Sequence, residues 1–229
     1  MTRSLLAQSA ALGEMLRAAA TGRPPPADGR VEVVARPPGP ADAVVAFTAH
    51  HVVAAPVEEA EVLAQLPPAP DLSGPMRAPS LNWLGQRLDS APGGVDLVMI
   101  APAARAEAEL ELVGREDVLE HPRVVRAITL RNEIKVYGDR QGRGLVLLGR
   151  GLANRLELGI EVEPRFRGVG LGRQLLRAAV ALAPDDEPLF AQVAPGNVAS
   201  VRMLLADGFQ PICAEVVFNR RRGNDAPGA

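Results

Sequence analysis

Leu5, Leu12, Met15, Leu16 and Ala19 recur at helical spacing, which predicts a helix over Ser4 to Ala20. A connector rich in proline and glycine follows, from Thr21 to Gly29. Val31 to Ala35 and Ala43 to Phe47 read as strands, separated by Pro37-Pro38-Gly39-Pro40. Glu58 to Leu66 reads as a short helix, and Pro67 to Ser80 as a second proline-rich connector. Leu81, Leu84 and Leu88 predict another short helix, and Val95 to Ile100 a buried strand. No internal repeat is visible, and this half carries no readable motif.

The C-terminal half has a clearer pattern. Asp117 to Ile128 has helical spacing, with Pro122 against it. Thr129 to Tyr137 alternates, with Leu130, Ile134 and Val136 on one face and Arg131, Glu133 and Lys135 on the other. After a turn at Asp139 to Gly142, Leu145 to Leu152 reads as a strand. Leu156, Leu158, Ile160 and Val162 alternate with Glu157, Gly159, Glu161 and Glu163 in the next. Three strands with short connections predict an antiparallel meander. The run Arg167-Gly168-Val169-Gly170-Leu171-Gly172 then opens a helix with an apolar stripe of Leu171, Leu175, Ala178, Ala179 and Leu182. Pro184 ends it, and Leu189 to Val193 is a short apolar strand. Strand, glycine turn, helix and strand make a βαβ unit with parallel strands. A helix over about Val198 to Asp207 stops at Gly208, and a last strand runs from about Ile212 to Phe218.

At about 150 residues per domain, the 229 residues allow one to two domains. Hydrophobic residues make up 47% and charged residues 23%, the balance of a globular chain. A net charge of −2 gives no basic field toward nucleic acid or an acidic membrane surface. Aromatic residues at 3% leave little material for stacking bases. The one basic cluster, Arg220-Arg221-Arg222, reads as a solvated tail. The single cysteine, Cys213, excludes an internal disulfide or a cysteine-based zinc site and reads as a buried thiol. Gln8, Glu14 and Arg17 break the first helix, so it is neither a signal core nor a membrane span, and the expected location is cytoplasmic.

The glycine turn carries the strongest chemical signal. A helix N-terminus presents unpaired N–H groups and the positive end of the helix dipole, which together bind phosphate. Three glycines clear side chains from that surface, and Arg167 and Arg173 flank it. A Rossmann turn would need glycine where Arg173 stands, and a P-loop would need Gly-Lys-Ser/Thr where Gly172-Arg173-Gln174 stands. A strand-to-helix turn with no ligand remains the alternative. Asn197-Val198-Ala199-Ser200 followed by Gly208-Phe209 is a second signal, although Asn197 also suits an N-cap and Gly208 a helix stop.

In this order and spacing, R-x-x-G-x-G, a helix, a short strand, N-x-x-S and G-F resemble the GNAT superfamily of N-acetyltransferases. Arg167, Gly170, Gly172, Asn197, Ser200, Gly208 and Phe209 carry the resemblance, which covers about Thr129 to Phe218. It implies an α/β (α+β) fold. The sheet is mixed and mostly antiparallel, with a central splayed parallel strand pair flanked by helices. Expected divisions are an N-terminal extension or degenerate companion domain over 1–94, an acyl-CoA-binding acetyltransferase domain over 95–219 and a tail over 220–229.

The resemblance also implies acetyl-CoA as co-substrate, an amine acceptor attacking the thioester directly, and the pantetheine arm lying between Leu156–Val162 and Leu189–Val193. The expected cofactor-binding residues are Val162, Arg167, Gly168, Val169, Gly170, Leu171, Gly172, Arg173 and Asn197. A backbone N–H near Ile160 to Val162 would polarise the thioester carbonyl. Many members carry a tyrosine seven residues after the asparagine to protonate the thiolate, where this chain has Leu204; its only tyrosine, Tyr137, lies on another strand. Ser200 is the candidate acid in its place, with a plain helix-surface serine as the alternative. Glu161 is the candidate base, with a solvated face of Glu157, Glu161 and Glu163 paired to Arg150 and Arg155 as the alternative; His50, His51 and His121 are weaker candidates. Two other readings stay open: a non-catalytic acyl-CoA-binding sensor or interaction protein, and a protein acetyltransferase. A homodimer is compatible with the sequence.

Overall fold

The computed structural model describes residues 2–67, 72–102 and 107–220. Helix α1 (Thr2–Ala20) leads into strands β1 (Val31–Val34), β2 (Ala41–Phe47) and β3 (His50–Ala54). Helices α2 (Glu59–Leu63) and α3 (Ala78–Arg87) precede β4 (Asp96–Ile100) and β5 (Leu112–Gly114). Helix α4 (Pro122–Leu130) opens the meander of β6 (Asn132–Asp139), β7 (Gly144–Arg150) and β8 (Leu156–Val162). Helix α5 (Leu171–Leu182), β9 (Leu189–Val193), α6 (Val198–Ala206) and β10 (Gln210–Asn219) complete the chain.

All ten strands lie in one sheet, in the order β1-β3-β2-β10-β4-β9-β8-β7-β6-β5. Only β1–β3 and β8–β9 pair parallel; the other ladders are antiparallel. This is the mixed, mostly antiparallel sheet with a central parallel pair that the sequence implies. The boundary expected near residue 95 falls within this continuous sheet. β2 pairs with β10 from Ala41↔Asn219 to Ala46↔Ala214, and β4 lies between β10 and β9.

Strand alternation sorts the core onto two faces. On one, Leu12, Leu16 and Ala19 of α1 pack on Val45, Val98 and Phe190, while Val124 and Ala127 of α4 pack on Leu145 and Leu147. On the other, Leu171, Leu175 and Ala179 of α5, with Leu204 of α6, pack on Val146, Leu158 and Ala191. Leu81 and Leu84 of α3 cover Val44, Val53 and Phe218 on that second face.

Four details depart from the sequence reading. Pro122 occupies the first turn of α4 and begins it, where its missing N–H costs nothing, with His121 as N-cap accepting from Arg123 N. β3 and β5 are strands that the pattern did not predict, because His50-His51 and the three-residue Leu112–Gly114 carry no alternation. Leu182 is exposed, and Leu176 and Val180 join the buried stripe of α5 instead. Arg220 is tied down: it donates to Pro37 O, Gly39 O, Ala41 O and Asp42. Arg221, Arg222 and the side chain of Leu5 lie outside the described residues.

Candidate active site

β8 and β9 share a ladder only from Leu156↔Leu189 to Leu158↔Ala191. Both strands run on, β8 to Val162 and β9 to Val193, without pairing. A cavity of about 380 Å3 opens at this splay and is lined from both faces of the sheet. Glu163 N donates to Arg143 O on the β7 side. Alternation therefore aims the N–H groups of Ile160 and Val162 away from β7, toward the gap beside β9.

The glycine loop follows at the end of β8. Gly168 and Gly170 have φ of +78° and +87°, in the left-handed region, and a Cβ added to either would meet nothing within 4 Å. Gly170 is the N-cap of α5 and offers no side-chain cap. Among the described residues, none of the N–H groups from Gly168 to Gly172 meets a backbone acceptor. The loop is thus a row of free donors beneath open space, next to an exposed Val169. Gly172 serves another purpose: a Cβ there would stand 3.0 Å from Met203 Sδ, so its glycine lets α6 approach α5. The guanidinium of Arg167 donates to Val162 O at 3.0 Å. That of Arg173 pairs with Asp207 at 2.7 Å. Burial opposes ionisation of Asp207, but Arg173 and Arg177 hold its carboxyl below the usual range.

Asn197 caps α6, its Oδ1 accepting from Ser200 N at 3.2 Å. The cap occupies the oxygen and leaves the amide N–H2 group for other partners. Asn197, Ser200, Met203 and Leu204 all line the cavity. Leu204, at the position of the missing tyrosine, is buried in the apolar cluster beneath α5. Tyr137 is on β6, outside the cavity lining.

The opposite wall is charged. Glu157 is buried, not solvated; it accepts from Arg131 Nε at 2.8 Å, Arg155 Nε at 2.9 Å and Leu152 N at 3.2 Å. Burial disfavours its charge, but Arg155 and Arg131 outweigh that and hold its carboxyl below the usual range. Gly151 makes room for this carboxylate, since a Cβ at Gly151 would collide with it. Arg155 also donates to Glu215 at 2.6 Å and lies over the Phe190 ring. Glu215 Oε2 and Arg155 Nη1 are buried and have no hydrogen-bond partner. Cys213 on the same strand is a buried thiol pushed up by burial and then by Glu215.

Asp96 lines the cavity as the cross-strand neighbour of Glu215. Burial, followed by Glu215, raises its pKa above the ordinary aspartate value. Glu161 lies on this face near Arg123, one residue beyond the lining stretch Glu157 to Ile160. Glu163 pairs with Arg165, and Arg150 pairs with Glu187. His50 and His51 are buried on β3 and do not line the cavity. Asp96, Glu215, Arg123 and Gln192 are the site residues that the sequence reading passed over. Their signal was present but weak: Asp96, Glu215 and Gln192 are single polar residues set inside apolar strands, and Arg123 is one charge on α4.

The segment 136–209 matches the family model described as Acetyltransferase (GNAT) family. It holds β6 in part, the splayed strand β8, the glycine loop, α5, β9 and α6. No curated protein matches the chain. Among solved structures, the chain resembles an acetyltransferase from the GNAT family from Colwellia psychrerythraea at 14% identity, covering 63% of each chain with a TM-score of 0.38. It also resembles a GCN5-related N-acetyltransferase from Kribbella flavida at 13% identity, covering 65% of this chain and 66% of that one with a TM-score of 0.40. A GCN5-related N-acetyltransferase-like protein from Streptococcus suis is similar at 11% identity, covering 63% and 69% with a TM-score of 0.41. The chain spans between 56% and 66% of the length of four such solved chains. The matched segment contains the motif residues Arg167, Gly170, Gly172, Asn197 and Ser200, so the likeness to the GNAT acetyltransferase family is a likeness of residues 136–209.

Proposed function

We propose that the protein transfers an acetyl group from acetyl-CoA to an amine at the β8–β9 splay. The observation that carries this reading is the row of N–H groups from Gly168 to Gly172 that meet no backbone acceptor among the described residues, with open space above Gly168 and Gly170, at the end of the strand that borders the cavity. A pyrophosphate suits such a row, as a helix N-terminus supplies both donors and dipole. In this reading Gly168, Val169, Gly170, Leu171 and Gly172 hold the phosphates, and Arg167 and Arg173 add positive charge at the rim. Asn197 donates its amide to the pantetheine arm. The N–H of Ile160 or Val162 takes the thioester oxygen, which gains charge as the amine attacks.

The chemistry needs a neutral amine, although alkylamines are mostly protonated at pH 7. Asp96, a cavity-lining carboxylate with a raised pKa, takes one proton from the ammonium. The nitrogen lone pair then forms the C–N bond, and the C–S bond breaks with its electrons going to sulfur. The second nitrogen proton returns to the thiolate, with Ser200 as the relay on the α6 side of the cavity. Glu161 is the alternative base, one residue outside the lining. No helix among the described residues is long and apolar enough to cross a membrane. A cytoplasmic location remains part of this reading.

Leu204 in place of the acid tyrosine favours a second reading, an acyl-CoA-binding protein without chemistry. Release of CoA thiol from acetyl-CoA, measured with and without a panel of amines and peptides, separates the two. Amine-dependent release is expected. Binding of acetyl-CoA with no release across the panel would favour the second.

A further inference from the structure

The acceptor half of the cavity holds charges that the protein itself does not neutralise, and their arrangement selects a class of amine. This inference rests on the acyl-transfer reading above. On that wall, Arg131 is committed to Glu157 and Gln192, and Arg155 to Glu157 and Glu215. Three charged side chains are left over. Asp96 has no hydrogen bond or ion pair to any described residue, and neither do the guanidinium groups of Arg123 and Arg126. All three line the cavity.

The two signs come from different elements, and Arg126 and Arg155 act on Asp96 through space without an ion pair. Asp96 sits on β4 beside Glu215, whose Oε2 is buried without a partner, so two carboxylates on adjacent strands face one spot. An ammonium placed there would meet the Asp96 carboxylate, with the buried Glu215 behind it. Arg123 and Arg126 project from one side of α4, a turn apart. The guanidinium of Arg123 lies over β8 at the start of the splay, where Nη2 stands 3.4 Å from the position a Cβ would take on Gly159. Burial, then the neighbouring guanidinium of Arg131, disfavours the charge of Arg123; Arg126 adds to this and Glu161 opposes it. A guanidinium pair of this kind, Arg123 half-buried and Arg126 exposed, gains most from a planar anion that accepts its N–H donors.

We propose that the acceptor is a small amine that carries its own carboxylate, of free-amino-acid type. Its ammonium sits on the Asp96 carboxylate, in the field of the buried Glu215 behind it, and its carboxylate binds Arg123 and Arg126. A protein lysine offers no carboxylate at that distance, and a peptide N-terminus has replaced it with an amide.

The test measures kcat/KM for the free L-amino acids, their methyl esters, simple alkylamines and short peptides, using acetyl-CoA as donor. At least one free amino acid is expected to exceed its own methyl ester by about 10- to 100-fold, the worth of one or two charge-assisted hydrogen bonds. In Arg126→Ala and Arg123→Ala that preference should collapse, chiefly through KM for the amino acid. Arg126 is exposed, so its variant keeps the assay interpretable if Arg123→Ala fails to fold. Methyl esters, alkylamines or peptides acetylated as well as free amino acids would overturn the carboxylate assignment and leave acyl transfer standing. Transfer to no member of the panel would overturn both.

Discussion

The two walls of the cavity solve different problems with different materials. The α6 wall is apolar side chain and a capped helix, with Leu158, Ala191 and Leu204, and the glycine loop with its free N–H groups lies beyond its edge at the end of β8. The α4 wall is charged and inward-facing, with Glu157, Glu215, Arg131 and Arg155 locked together and Asp96, Arg123 and Arg126 left over. A backbone cradle binds the part common to every acyl-CoA and needs little side-chain variety. A charged wall can distinguish acceptors, and it pays in desolvation for each group it buries. In the proposed reading the donor lies on one side of the sheet and the acceptor on the other, with the splay as the opening between them.

Asp96→Asn should break the charged wall's chemistry with the largest effect. Turnover should fall by about 10² to 10⁴ while acetyl-CoA affinity holds. The sign of the pH dependence follows from the raised pKa of Asp96. The base works when deprotonated, so wild-type activity should fall as pH drops through a value above the ordinary aspartate range of about 4. The variant should lose that acidic limb. Glu161→Gln should stay near normal; a collapse there with Asp96→Asn unimpaired would move the base to Glu161.

Glu157→Gln tests the locked part of the same wall. Removing the carboxylate leaves Arg131 and Arg155 short of a partner in a buried setting, which costs about 3 to 5 kcal/mol. Gly151→Ala should act in the same direction, by forcing Glu157 out of its place. Denaturant unfolding measures both. Losses below about 0.5 kcal/mol, the usual range for surface substitutions, would mean that the network is not holding the sheet.

Asn197→Asp sharpens the other wall with a smaller effect. Aspartate caps a helix as well as asparagine does, so unliganded stability should be kept. Loss of the amide donor should weaken acetyl-CoA by about tenfold, near 1.4 kcal/mol. Unchanged affinity would reduce Asn197 to its capping bond with Ser200 N.

The same contrast explains what the chain disclosed. The donor wall was legible because its requirements are local. Positive φ at Gly168 and Gly170 favours glycine, a helix start follows within one residue, and β8 and β9 carry clear apolar runs. The acceptor wall was not, because Asp96, Glu157 and Glu215 are brought together from three strands whose order, β10-β4-β9-β8, no local pattern encodes. Glu157 alternated like a solvated residue, and only tertiary packing under Arg131 and Arg155 buries it. Gly172 was read as part of the phosphate surface, and its missing side chain also lets α6 approach α5 at Met203. Leu204 was legible as a departure, and its place in the cavity lining leaves Ser200 as the polar hydroxyl on that helix near the splay.

The central claim is that the loop at Gly168 to Gly172 holds the phosphates of acetyl-CoA. Gly170→Asp tests it most directly, since it puts bulk and negative charge into the open space above the loop. Aspartate tolerates the left-handed region better than most residues, so the unliganded fold should survive. Thermal unfolding is measured with and without acetyl-CoA at about 100 times its dissociation constant, where wild type should gain about 2.7 kcal/mol. The account predicts that gain in wild type and none in Gly170→Asp. Equal stabilisation of the two proteins, or none in wild type, would contradict it.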